Sequence, residues 1–193
     1  MKRSDANIAF FGERKYFKWE NADTFHYFKY EPVKWRVLKK ENNQALLLSD
    51  VALDSQEYNI ERTDITWEES TVRSWLNGYG RTFNKYGKDF SSKNFIKQAF
   101  SYAQEQAIVN TNVINMDNLS DGTTGGNNTK DKIFFLLESE VYGNSAAANG
   151  FCPDSEILDE ARCCKSSVYA KAMGTFGSLS GNMTAEKDGY CSW

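Results

Sequence analysis

Between Phe25 and Leu38 the chain reads as a strand, with Tyr27, Phe28 and Tyr30 first, then Val33, Trp35 and Val37 alternating with Lys34, Arg36 and Leu38. A period of two places alternate side chains on one buried face. Lys39-Lys40-Glu41-Asn42-Asn43 is a polar turn, and Ala45-Leu46-Leu47-Leu48 reads as a second, buried strand. Two such runs joined by a short Asn-rich loop predict an antiparallel hairpin.

The period then changes. Trp67, Thr71, Val72, Trp75 and Leu76 share one face at helical spacing, which predicts a helix over Thr66 to Gly78. Thr66 and Glu69 have the spacing of a capping box, Glu68 and Glu69 put negative charge at the helix start, and Glu69 and Arg73 stand four apart as an ion pair. Gly78 supplies the left-handed stop. Hairpin and helix are expected to share a core through Trp35, Leu47, Trp67 and Trp75.

Farther on, Phe95, Ile96, Ala99, Phe100, Ala103, Ala107 and Ile108 stripe a helical stretch from Ser92 to Ile108. Ser101 with Gln104 is a second capping box, which predicts a break near Phe100. Val109 to Ile114 reads as a strand with Val113 and Ile114 inward, and Ile133 to Leu137 as a buried strand. Asn115 to Asp131, dominated by Asn, Asp, Gly and Thr, is a loop. Tyr142 to Asp159 is a small, polar surface excursion, and Ser167 to Met173 is a short helix stopped by Gly174. Thr175 to Gly189 is rich in Gly and Ser. Runs of strands and helices without strict alternation predict an α+β fold, with helices packed on an antiparallel sheet. Residues 1–22, mixed in charge and aromatics, form an N-terminal arm or edge strand; residues 23–193 form the domain.

Composition narrows the picture. A chain of 193 residues buries about 70% of its unfolded surface, so stability requires neither disulfide nor metal. The net charge is −3 with acids and bases interspersed, unlike the basic patch of a nucleic-acid binder. Its longest apolar runs, Ala45–Leu48 and Ile133–Leu137, fall far short of the ~20 residues that cross a bilayer. Ile8–Phe11 is too short for the apolar core of a signal peptide. Cys152, Cys163, Cys164 and Cys191 include no Cys-x-x-Cys pair such as a structural zinc site uses. They read as small thiols, or as one disulfide joining Cys152 to Cys163 or Cys164.

Candidate chemistry is sparse. His26 is the single histidine, and no Gly-x-Ser-x-Gly elbow accompanies it. The loop from Asp117 through Asp121 to Asp131 offers hard oxygens in number, the donors calcium prefers, but without EF-hand spacing. Its ordinary reading is a system of Asx-turns with Gly125 and Gly126 at positive φ. No obligatory cofactor is expected; calcium on Asp117, Asp121 and Asp131 is the alternative. Most aromatics sit at core spacing, whereas Tyr79, Phe83 and Tyr86 stand among glycines and are expected to be more exposed. With Asn127 and Asn128 they are the candidate ligand-binding residues. Asn118, Asn127 and Asn182 each begin an Asn-x-Ser/Thr sequon.

Several motifs together resemble a bacterial domain of unknown function frequent in gut and clostridial cell-surface proteins. They are Glu31-Pro32-Val33-Lys34-Trp35-Arg36-Val37-Leu38, Ala45-Leu46-Leu47-Leu48-Ser49, Ala52-Leu53-Asp54, the Thr66–Asn77 segment and Ser91-Ser92-Lys93-Asn94-Phe95-Ile96-Lys97. Gly122 to Thr129, Asp131 to Leu137 and Tyr169-Ala170-Lys171-Ala172-Met173-Gly174 continue the likeness. The resemblance implies a surface location, an unknown surface ligand (glycan or protein), and a remote kinship with C-type lectins and formylglycine-generating enzymes. No catalytic residue comes with it. It also implies that strands follow Trp193, so that a strand-donating partner or an oligomer would complete the sheet. The expected function is a non-enzymatic binding or display domain, with a formylglycine-type enzyme and a structural spacer as alternatives.

Overall fold

Helices and mostly antiparallel ladders interleave irregularly, giving the α+β class that the run of elements predicts. A computed structural model describes residues 8–11, 14–21, 24–29, 32–119, 122–154, 156–157, 159–173 and 190–192. In chain order the first strands are β1 (Ile8–Phe11), β2 (Arg14–Asn21), β3 (Thr24–Lys29), β4 (Trp35–Glu41), β5 (Gln44–Ser49) and β6 (Val51–Ala52). Helices α1 (Thr71–Asn77), α2 (Phe95–Ala99) and α3 (Tyr102–Ala107) follow, then β7 (Thr111–Val113) and β8 (Thr129–Asp131). Helix α4 (Glu138–Val141), β9 (Cys163–Ser166), α5 (Val168–Ala172) and β10 (Tyr190–Ser192) close the order.

The described strands form four small sheets: β1-β2-β3, β4-β5, β7-β8 and β10-β9-β6. All ladders are antiparallel except β6 with β9. The stretch read as an arm or edge strand carries β1 and β2, with β1 at the edge of its sheet. Contacts divide the chain into two units, one drawn from Met1–Tyr30 and Glu57–Phe135, the other from Glu31–Gln56 and Leu136–Trp193.

In the first unit the helix starts later than its sequence suggests. Its cap is Ser70, whose side chain accepts from the Arg73 backbone N–H. Thr66 to Glu69 instead make a tight turn, closed by the Glu69 N–H on Thr66 O. Glu68 and Glu69 thus precede the helix, and Arg73 points inward to a buried carboxylate, away from pairing with Glu69. The stop is as expected: Gly78 sits at φ 73°, and an added Cβ would meet Asn94 Nδ2 at 2.6 Å. Beyond it, the break near Phe100 is present, and the Ser101–Gln104 capping box starts α3. Val113 is buried, but Ile114 is 54% exposed because β7 ends one residue before it.

Ile133 to Leu137 is not a strand. The reason is the side chain of Asn77, which takes the place of a strand partner. Its Oδ1 accepts from the N–H groups of Lys132 and Ile133, each at 2.9 Å, and its Nδ2 donates to Ile133 O at 2.8 Å. Asn77→Ala should therefore cost about 2–3 kcal/mol, the scale for leaving several half-buried backbone groups unsatisfied. Urea denaturation measures it; a loss under ~0.5 kcal/mol would mean that water replaces the amide without penalty.

In the second unit β4 and β5 form the predicted hairpin. Asn42 and Asn43 both adopt positive φ, 47° and 61°, as a two-residue primed turn requires. Its faces are the reverse of those expected. The register jumps between Val37 and Lys39, leaving Leu38 as a bulge residue. Leu38 is buried with Ala146 and Phe151, and Leu46, Leu48, Leu136 and Ala161 pack against them. Val37 and Leu47, paired across the strands, lie 48% and 46% exposed, and Trp35 is exposed as well. Of the four residues expected to build a common core, Trp67 alone is buried; Trp75 is half-buried, edge-on to Phe90. The Tyr142–Asp159 stretch, read as a surface excursion, supplies two of the three central core residues, Ala146 and Phe151.

Candidate functional site

Helix α1 and strand β8 meet at Asp131, whose side chain is fully buried. Asp131 Oδ2 accepts from Trp67 Nε1 at 2.9 Å and Thr129 Oγ1 at 2.6 Å. The Arg73 Nε lies 2.9 Å from Oδ1 and 3.1 Å from Oδ2. Arg73 Nη1 donates to Glu68 O at 2.9 Å, which fixes the turn ahead of the helix. Burying a carboxylate and a guanidinium is costly unless each is paired and hydrogen-bonded, and here both are. All five participants, Trp67, Glu68, Arg73, Thr129 and Asp131, belong to the motifs that carry the family resemblance.

Tyr79 extends this network toward solvent. Its hydroxyl lies 2.9 Å from both Lys130 O and Asp131 Oδ1, and the Arg73 guanidinium sits 5.0 Å from its ring centroid. Burial, with the neighbouring Asp131 carboxylate, pushes the Tyr79 phenol up to about 12. The sign follows: its neutral form contributes stability in full below pH ~10, and that contribution is lost as pH rises toward 12. Phe83 stacks on the Tyr79 ring at 4.7 Å and 27° and remains 48% exposed. The outcome is an exposed aromatic face on a rigid support.

The remaining candidates have defined places. Tyr86 is half-buried, its hydroxyl 3.2 Å from Thr63 Oγ1. Asn127 is exposed and donates to Glu68 Oε2 at 2.8 Å. Asn128, also exposed, accepts from the Asn115 N–H at 3.0 Å. The two amides thus belong to the turn system of the loop, and Asn127 reaches the residue whose carbonyl holds Arg73.

Of the carboxylates weighed for calcium, Asp131 uses both oxygens on the donors above and faces a cation already. Asp117 is exposed and accepts from the Gly125 N–H at 2.9 Å and Thr124 Oγ1 at 3.0 Å, bonds that hold its carboxyl below the usual range. Asp121 lies outside the described residues. Among the described residues, no three His, Cys, Asp or Glu side chains gather where they could hold a metal. The turn geometry differs from expectation in one place: Gly126 has positive φ, 80°, whereas Gly125 does not. Gly125 is needed for closeness, since a Cβ there would collide with the carbonyl of Asn115 at 2.5 Å.

His26 sits in β3 opposite Trp19. Sequence reasoning missed the grouping of Trp67, Arg73 and Thr129 around Asp131. Its one trace in the sequence was an arginine that is the sole charged residue of the Thr71–Asn77 helix.

The model of a domain of unknown function, DUF6273, matches residues 42–178. No curated protein matches the chain. No solved structure matches it.

Proposed function

The chain belongs to the DUF6273 family of domains of unknown function, and on that premise we propose that it is a non-enzymatic binding or display module. Phe83 is the contact residue, and a glycan of a bacterial cell-surface environment is the ligand class. The observation that carries this reading is the exposed Phe83 ring stacked on Tyr79, itself tethered to the buried Arg73–Asp131 pair. A preordered aromatic face loses little conformational entropy on binding, and its flat apolar surface matches the C–H face of a sugar ring. The exposed amides of Asn127 and Asn128 and the Glu68 carboxylate supply polar partners elsewhere in the same unit. By contrast, the densest polar cluster of this unit spends its groups on one another, as a scaffold does.

The test is a glycan array probed with the wild-type chain and with Phe83→Ala. Truncation of an exposed ring should change stability by less than ~1 kcal/mol and weaken a bound glycan about tenfold or more, the loss typical of a central contact aromatic. Equal binding by the two proteins would remove Phe83 from the site. If neither binds any glycan or protein ligand, the spacer reading takes over.

A further inference from the structure

The strand register singles out a cysteine pair different from the one the sequence suggests. Strands β9 and β10 run antiparallel, with Cys164 directly opposite Cys191 between the pairs Lys165–Tyr190 and Cys163–Ser192. Opposed residues on antiparallel strands share a face, with Cα atoms about 4.5 or 5.5 Å apart according to the kind of pair. Both separations lie inside the range of roughly 4.4–6.8 Å that a disulfide spans. The pleat assigns Cys163 to the opposite face, and its thiol lies 3.6 Å from Asp159 O, to which it donates. Cys152 belongs to another loop, where its backbone N–H donates to Asp159 Oδ2 and its carbonyl accepts from Arg162.

We propose that Cys164 and Cys191 are a covalent modification site, a cross-strand dithiol that closes to a disulfide by exchange with a small-molecule disulfide such as oxidised glutathione. One cysteine thiolate attacks the glutathione S–S bond, forming a mixed disulfide and releasing one glutathione thiolate. The second cysteine thiolate attacks the protein sulfur of that mixed disulfide, forming the protein S–S bond and releasing the second glutathione. The two protons lost by the cysteines end on the two released glutathiones. The protein dithiol is thereby oxidised by two electrons and the glutathione disulfide reduced by the same two. The bond staples β10 to β9, which also pairs with β6, so it locks the sheet across its sequence-distant strands.

The experiment equilibrates the full chain in glutathione buffers of stepped redox ratio, quenches with an alkylating agent, and maps peptides under non-reducing conditions. The wild type should lose two of its four thiols and yield a Cys164 peptide joined to a Cys191 peptide. Cys152→Ser and Cys163→Ser should form the same link. Cys191→Ser should form no internal disulfide, which keeps the test sound even if a change at buried Cys164 disturbs folding. A link through Cys152 or Cys163, full retention of thiols in the most oxidising buffer, or an internal disulfide persisting in Cys191→Ser would overturn the assignment.

Discussion

Asp131→Ala should destabilise the protein by about 3–5 kcal/mol, the cost of leaving a buried partner charge uncompensated. Arg73 would lose its carboxylate while remaining 6% exposed, and the Trp67 indole N–H, Thr129 hydroxyl and Tyr79 hydroxyl would each lose an acceptor. Chemical denaturation measures the loss. A double replacement, Arg73→Met with Asp131→Leu, should be milder than Asp131→Ala alone, because removing both charges leaves no orphan. A single-mutant cost below ~1 kcal/mol would show that the pair is solvated in solution and that the aromatic face above it is not rigidly held.

The second large effect belongs to the other unit. Phe151→Ala should cost about 3–5 kcal/mol, as for a buried aromatic that leaves a cavity. The ring is 3% exposed against Leu38 and Ala146, with the Arg36 guanidinium 5.9 Å from its centroid. Leu47→Ala, by contrast, should cost less than ~1 kcal/mol, since Leu47 is half out in solvent. The two variants together test which face of the hairpin is buried. If Leu47→Ala proved the costlier, the Val37–Leu47 side of the hairpin would be the buried one.

Local chemistry was readable where one short stretch decides the outcome. The Asn42-Asn43 turn, the Gly78 stop and the Ser101–Gln104 box each need only neighbours within a few residues. The α+β class followed from the same local signals. Errors arose where a distant partner decides. Glu69 and Arg73 have good spacing for a helix pair, but a buried aspartate 58 positions away binds the arginine more strongly than an exposed neighbour could. Ile133–Leu137 has a strand's composition, yet a single Asn side chain already satisfies its leading backbone groups. Ala146 and Phe151 lie around a short 3₁₀ turn, Ala146–Asn149, too brief to show any apolar period. At the hairpin the alternation was read correctly but assigned to the wrong side, because the partners that bury Leu38, Leu46 and Leu48 come from the distant Ala146–Phe151 stretch.

The candidate aromatic residues were visible as a glycine-spaced cluster. Their ordering was not: Phe83 earns its place from the ring beneath it, and that ring from an aspartate on β8.

The interrupted course of the chain has a consequence during synthesis. Leu38 on β4 finds its partners only at Ala146 and Phe151, and β6 pairs with β9 only after residue 166 has been made. At roughly 5–20 residues per second on the ribosome, the hairpin emerges several seconds or more before its core exists. The unit containing Arg73 and Asp131 can instead complete that ion pair once residue 131 is out. Folding should therefore be ordered in time, with the unit that holds Arg73 and Asp131 settling before the one that joins Glu31–Gln56 to Leu136–Trp193. Through that interval the apolar side of the hairpin, Leu38 with Leu46 and Leu48, is what a ribosome-bound chaperone would meet.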